Sequence, residues 1–296
     1  MKPAAAAVLL CLPLPAAAQG ITAARPPKPA FAAEAALNYA APDGLVSRRS
    51  ELRAEAALGR AGGLELRAAA SGAHIRALAD GYFPPELYKA GLTLSAEDER
   101  TRAWLTLNSN SDRPYRSPSE TDLGAHFTRT FSESGPHAWY YGLMYSTRRS
   151  FMRAVPLPFV GYRYTSREFQ LVFPFMARWQ VSKTVALSAS YQPVRYYRLS
   201  AGWRPVPFAG VVLEAGKALD QFFLAGRPHK AEALYAETNF ASLKPELAVS
   251  KRLKFAAELG CQWRGRYFTG RTYDDHHSKV RTGSGGVAGL SARYAF

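Results

Sequence analysis

Over most of its length the chain alternates apolar and polar residues with a period of two. The clearest case is the final stretch, Gly285 to Phe296, which reads GGVAGLSARYAF. Counting back from Phe296 in twos gives Tyr294, Ala292, Leu290 and Ala288, with Arg293, Ser291 and Gly289 between them. Successive side chains of a strand point to opposite faces, so this segment has one apolar and one polar face. A helix would scatter both sets around its axis.

The same pattern recurs upstream. Ala35, Leu37 and Tyr39 alternate with Glu34, Ala36 and Asn38; Leu52, Ala54, Ala56 and Leu58 alternate with Glu51, Arg53, Glu55 and Ala57. Leu64, Leu66, Ala68 and Ala70 follow in the same way. Ala, Leu, Glu and Arg favour helix, but a helix would place Leu64 and Leu66 on different faces, so the period decides for strand. Further alternating runs centre on Leu92, Leu105, Phe127, Tyr141, Tyr162, Leu171, Leu187, Leu199, Leu213 and Leu259. Pro174 interrupts one of them and predicts a bend or an inward-folded segment. Residues 231–250 read as one long strand bulged around Pro245. Turn-forming residues mark the breaks, as at Pro42–Gly44 and Ser132–Pro136. Residues 74–86, 108–120, 219–230 and 266–284 lack the alternation and read as connections, the last as a long polar loop.

The start of the chain bears on its compartment. Residues 1–18, MKPAAAAVLLCLPLPAAA, carry one cation, a short apolar run and small residues at Ala16 and Ala18. These are the parts of a cleaved export signal, and the run is too short for a membrane helix. Leu10 precedes Cys11, where a lipoprotein signal needs a small residue. The proline-bearing residues 19–32 read as a periplasmic leader, and 33–296 as one domain. With Cys11 removed, Cys261 has no partner for an internal disulfide. The net charge of +15 suits anionic lipid or an anionic ligand. Export argues against nucleic acid.

Alternation alone does not say whether the apolar face is inside or outside. Three features favour outside, toward lipid. The polar faces carry mid-strand charges of both signs. The apolar faces often end in Tyr or Trp, as an interfacial belt requires. The tail, with Phe296 terminal and Tyr294 two places before it, resembles the last strand of bacterial outer-membrane β-barrels. That resemblance implies recognition of Tyr294 and Phe296 by the barrel-assembly machinery and closure against the first strand. The middle of the chain, residues 154–193, more loosely resembles uncharacterised outer-membrane barrels, porin-like in character. The expected fold is therefore all-β: an antiparallel transmembrane β-barrel of about twelve strands, within a range of about 10–16. The expected location is the bacterial outer membrane, with its lipids as partners.

Candidate function follows from the inward set. Arg53, Glu55, Glu65, Arg67, Arg163, Arg198, Glu258 and Arg264 are expected to line a pore, with Arg102, Arg204 and Arg293 on the same face. Rings of cations favour anions, which gives a narrow channel for small polar or anionic solutes. Glu51 and Glu214 join the acids available to pair with these cations, which gives the alternative of a structural barrel filled by side chains. A third reading is a hydrolase with a rim site at Asp274, Asp275, His276 and His277, where a carboxylate would orient an imidazole base. The chain has no phosphate loop, zinc spacing or dinucleotide fingerprint, so no metal or cofactor is expected. Cys261 falls on the face expected to meet lipid.

Overall fold

The computed structural model describes residues 28–79, 81–149, 152–192 and 196–296. The export signal and most of the leader lie outside the described residues. The strands are β1 (Phe31–Pro42), β2 (Leu45–Ala61), β3 (Leu64–Ala79), β4 (Glu86–Glu97), β5 (Thr101–Ser111) and β6 (Thr121–Ser134). They continue with β7 (His137–Ser146), β8 (Leu157–Thr165), β9 (Phe169–Phe173), β10 (Met176–Gln180), β11 (Val185–Gln192) and β12 (Tyr196–Val206). The last five are β13 (Ala209–Phe222), β14 (Ala233–Ala248), β15 (Leu253–Gly270), β16 (His276–Thr282) and β17 (Gly285–Ala295).

Each strand pairs antiparallel with its sequence neighbours, and β17 pairs with β1 along its whole length, so the sheet closes on itself. The upper part of β15 pairs with β16 and its lower part with β17. Those two are halves of one stave, and the barrel has sixteen strands rather than about twelve. One feature hid part of the larger number: β9 and β10 are only five residues each, turning at Pro174, which supplies the expected bend. β16 lies inside the stretch that reads as polar loop, but it completes the stave of β17 and adds no strand. β14 passes Pro245 without a break in its pairing to β13; its irregularity comes earlier, between Glu237 and Asn239.

Closure is completed at the chain's last residue. Phe31 N donates to Phe296 O and Phe296 N to Phe31 O, both at 3.0 Å, and the two rings lie 5.9 Å apart. No edge remains along this seam to solicit another strand. The end that carries the C-terminus has short turns. One is Gly62–Gly63, whose φ values of +57° and +83° fit a two-residue hairpin turn that only glycine enters freely. The described parts of the longer connections, 81–85, 112–120, 147–149 with 152–156, 223–232 and 271–275, gather at the other end.

The exposures of Leu187, Leu199, Leu259 and Leu290 are 39, 57, 61 and 66 %. These leucines stand on the outside of a closed cylinder, not in a central core. In water each would forgo about 1.5–3 kcal/mol of burial; in hydrocarbon that cost disappears. Aromatics flank the leucine belt: Trp139, Trp179, Trp203 and Tyr294 toward the C-terminal end, Tyr39, Tyr191 and Tyr197 toward the loop end. Cys261 is exposed on the same outer surface, level with Ala241 and Gly286 of the adjoining strands. A groove of about 430 Å³ runs along this surface past Leu66, Leu94, Leu105 and Phe127, and it faces outward.

Candidate functional site

The site is the lumen and its mouth at the loop end. β13 follows β12 only as far as Lys217, opposite Tyr197. Beyond that point it keeps its pairing to β14 alone, and its end is tied to β5. Phe223 N donates to Asn110 O at 2.8 Å, and Asn110 Nδ2 donates to Gln221 O at 3.3 Å. The tips of β13–β15 are thereby drawn across the mouth to the opposite wall.

Two buried clusters result, one on each face of these tips. On one face Phe222, Leu234 and Tyr267 pack against Ile75 of β3 and Leu87 of β4, all nearly inaccessible. On the other, Phe223, Ala233, Tyr235 and Phe268 pack together, with Tyr235 and Phe268 stacked at 5.1 Å. This double burial explains why Leu234–Tyr235 and Tyr267–Phe268 break the in-and-out alternation. Just below, Asp220 reaches across the lumen to Lys89 Nζ at 2.6 Å and Arg49 Nη1 at 3.5 Å. The sequence pattern places Asp220 in a loop, and nothing local signals its partners on β2 and β4.

Residues 223–232 seal the arrangement. Arg227 pairs with Glu120 at 3.4 Å, both almost fully buried, and donates to the carbonyls of Leu224, Ser119 and Lys230. Burial alone would raise the Glu120 pKa. Hydrogen bonds from Ser117 and Ser119 and the charge of Arg227 outweigh it, and the carboxyl is held below its ordinary range. Arg227 is pushed down by burial, with Glu120 opposing. Arg148, Arg153 and Arg227 stand over the Phe223 ring at 5.7, 6.0 and 5.3 Å from its centroid.

Below the mouth the inner wall is polar. Arg198, Glu214, Lys244 and Glu258 form an alternating row across β12–β15, with contacts of 3.9, 2.8 and 3.3 Å. Arg204 pairs with Glu246 at 3.2 Å, and Arg163 with Glu133 at 3.9 Å. Arg53 and Arg293 flank Glu34 in register on β2, β1 and β17. Arg67 behaves differently. It is 2 % exposed, bound to Glu55 at 2.7 Å, Glu65 at 2.9 Å and the carbonyl of Pro29 at 2.7 Å. That triad fixes the end of the leader against the wall, helped by Lys28 on Glu97. Arg264 sits at φ +51° where β15 is irregular, so alternation does not assign its face. Lys244 and Arg178 belong to inward registers that the sequence-derived set omits. Lys244 adjoins Pro245, where a bulge is expected, and Arg178 lies on a strand of five residues.

The rim residues do not converge. His276 Nδ1 is 3.1 Å from the carbonyl of Tyr273, and His277 Nε2 is 3.5 Å from Glu232. The neighbours of these imidazoles are thus not Asp274 or Asp275. Among the described residues no group of three or more His, Cys, Asp or Glu is placed to hold a metal.

An apolar exterior, a polar interior and a closed antiparallel sheet define a membrane-spanning β-barrel. The chain resembles outer-membrane porins and channels. It is similar to an outer-membrane channel from Pseudomonas putida F1, at 9 % identity over 92 % of this chain and 97 % of that one, TM-score 0.42. It is similar to an anion-selective porin from Comamonas acidovorans, at 11 % identity over 90 % and 98 %, TM-score 0.35. It is also similar to the KdgM porin in complex with disordered oligogalacturonate, at 9 % identity over 89 % and 99 %, TM-score 0.31. No family model and no curated protein matches the chain. Likenesses this distant concern barrel architecture alone, and function is argued from the residues.

Proposed function

We propose that the chain is an integral outer-membrane barrel that conducts small anionic or polar solutes through a narrow lumen. One observation carries this reading. Inside the closed wall, the side chains of Arg102, Arg198 and Arg204 remain 38, 40 and 38 % exposed. Water therefore reaches these guanidiniums, Arg102 and Arg204 toward the C-terminal end of the lumen and Arg198 higher on the wall. The long contacts of Arg102 with Glu97, 4.0 Å, and of Arg198 with Glu214, 3.9 Å, leave these two within reach of a passing anion. The buried clusters at the mouth restrict that path to the side of the barrel away from β3 and β4.

Those same clusters favour the second reading, a barrel whose lumen is shut. Reconstitution in planar bilayers separates the two. In a salt gradient the channel gives a reversal potential displaced toward that of chloride, and the absence of any current across many insertions overturns it. Heat-modifiable mobility of the protein from an outer-membrane fraction tests the location; recovery from the soluble periplasm overturns it.

A further inference from the structure

Two rows of charge run around the inner wall, and they are built differently. Arg198, Glu214, Lys244 and Glu258 alternate in sign and are joined by ion pairs. The other row lies toward the C-terminal end, across the seam where the barrel closes. It runs Arg53 on β2, Glu34 on β1, Arg293 on β17 and Lys254 on β15, each opposite the next in register. Residues opposite one another share a face. That face is the inner one, because Leu52, Tyr294 and Phe255, the chain neighbours of the three cations, stand exposed on the outside. In this row the signs do not alternate. Arg293 stands directly opposite Lys254, and three cations share one carboxylate. Side chains so placed have Cβ atoms about 4.5–5.5 Å apart, and like charges there destabilise the strand pair. No ion pair or hydrogen bond joins the side chain of any of the four to another described residue. The nearest acids along β2 are already engaged, Glu51 by Arg49 and Glu55 by Arg67. Glu34, Arg53 and Lys254 are exposed and Arg293 is half-buried, so water in the lumen reaches all four. The next inward row along the seam is Ala36, Ser291 and Ala256, and no large side chain on these strands screens the cations from above.

We propose that Arg53, Arg293 and Lys254 form a binding station for divalent oxyanions, the class of sulfate, phosphate and phosphorylated small solutes. The inference rests on the channel reading for the route by which solute reaches the row, and it names the solute class. Two guanidiniums and an ammonium supply hydrogen-bond donors only, and a guanidinium fork matches two oxygens of one anion. Set against Glu34, the three cations leave two positive charges, which one dianion neutralises and one chloride does not. In a water-filled lumen the attraction is screened by salt, so the row holds a passing ion without trapping it. The alternating row on β12–β15 neutralises itself and makes no such demand.

The test uses the full-length barrel in neutral detergent, folded as judged by heat-modifiable mobility. The probes are sulfate and nitrate at matched ionic strength, both oxyanions but only the first divalent. Equilibrium dialysis gives their dissociation constants, and block of the chloride current in planar bilayers gives half-blocking concentrations. The expected result is sulfate bound roughly fivefold or more tightly than nitrate. Lys254→Gln and Arg293→Gln should each weaken sulfate roughly three- to fivefold, and Glu34→Gln should strengthen it by a similar factor. Lys251→Gln removes an equal charge from the turn before β15 and should leave sulfate binding unchanged. Equal binding of the two anions overturns the station. So does a Lys251→Gln loss as large as that of Lys254→Gln, which would make the attraction one of net charge alone. So does weaker or unchanged binding in Glu34→Gln. Lys254→Gln and Glu34→Gln decide the matter where Arg293→Gln does not assemble. Sulfate preference without chloride current would leave the station standing and remove the channel; current without preference does the reverse.

Discussion

The mouth and the middle of this barrel are made from the same strands and obey opposite rules. At the mouth, Phe222, Leu234 and Tyr267 meet Ile75 and Leu87 across what would be open space, and the closing charges are buried: Arg227 on Glu120, with Asp220 bridging to Lys89 below. In the middle, Arg198, Glu214, Lys244 and Glu258 lie along the wall in sequence around the circumference, without bridging it. The mouth is an interior in the sense of a soluble protein, where area removed from water supplies the stability. The middle is a surface turned inward. One chain can hold both because β13 runs on past its last pair with β12 at Lys217, and its end is tied to β5 through Asn110.

The largest effect expected from this contrast belongs to Phe222→Ala combined with Tyr267→Ala. Removing both rings costs about 3–5 kcal/mol each if the site does not collapse. Single-channel conductance should rise several-fold, since the variants empty the half of the mouth now filled. Conductance equal to the parent's would mean that the path does not pass the mouth at all, and the contrast would lose its functional meaning. Asp220→Asn comes next. It removes the carboxylate shared by Lys89 and Arg49, and an uncompensated charge is left beneath the mouth. A lower melting temperature and a roughly twofold gain in chloride over potassium permeability are expected, the gain reflecting one added net positive charge. In the wet middle the sign reverses. Arg198→Gln with Arg204→Gln should leave the melting temperature nearly untouched and lower the permeability ratio about twofold.

Proton linkage offers a finer probe of the mouth. The folded Glu120 carboxyl titrates below its unfolded value of 4.5. Its contribution to holding residues 223–232 is thus complete above that value and fades as pH falls through the lowered folded one. Cleavage of the 223–232 connection by an acid-active protease should be slow above the unfolded value of 4.5 and accelerate as the pH falls below it; in Glu120→Gln the acceleration should vanish and cleavage be fast throughout. The smallest effect is expected at the rim. His277→Ala removes a contact between an exposed imidazole and the largely buried Glu232, and conductance should be unchanged. Loss of an ester- or peptide-cleaving activity in that variant would instead revive the hydrolase.

The contrast also explains what the sequence reveals and what it conceals. Where a strand passes through lipid, one face must be apolar, and alternation finds it: the outward positions of Leu52, Leu105, Leu199 and Leu290 follow from period two alone. Where a strand rises past the apolar belt, that demand ends. β3 continues to Ala79 with Ile75 and Ala77 buried at the mouth and His74 and Arg76 on its other face, and β16 consists of HHSKVRT with no apolar face. Both read as connections, so β3 and the last stave come out too short. The mouth is hidden for a different reason. Its contacts join β13–β15 to β2–β5, far apart in the chain, and periodicity carries no information about which distant strands meet. Arg198, Glu214 and Glu258 are legible as inward charges, whereas Asp220 falls where the pattern has lapsed. Arg67 is expected among the pore-lining cations, and its partner at Pro29, distant from it in the chain, makes it a tether.

The reciprocal bonds between Phe31 and Phe296 have a consequence for biogenesis. Removing Phe296 alone deletes both bonds and the aromatic contact beside them, while the pairs from Ala32–Ala295 to Pro42–Gly285 remain to hold the seam. Every intermediate in which β17 has yet to meet β1 carries two unmatched strand borders, each open to pairing with another chain until the seam forms.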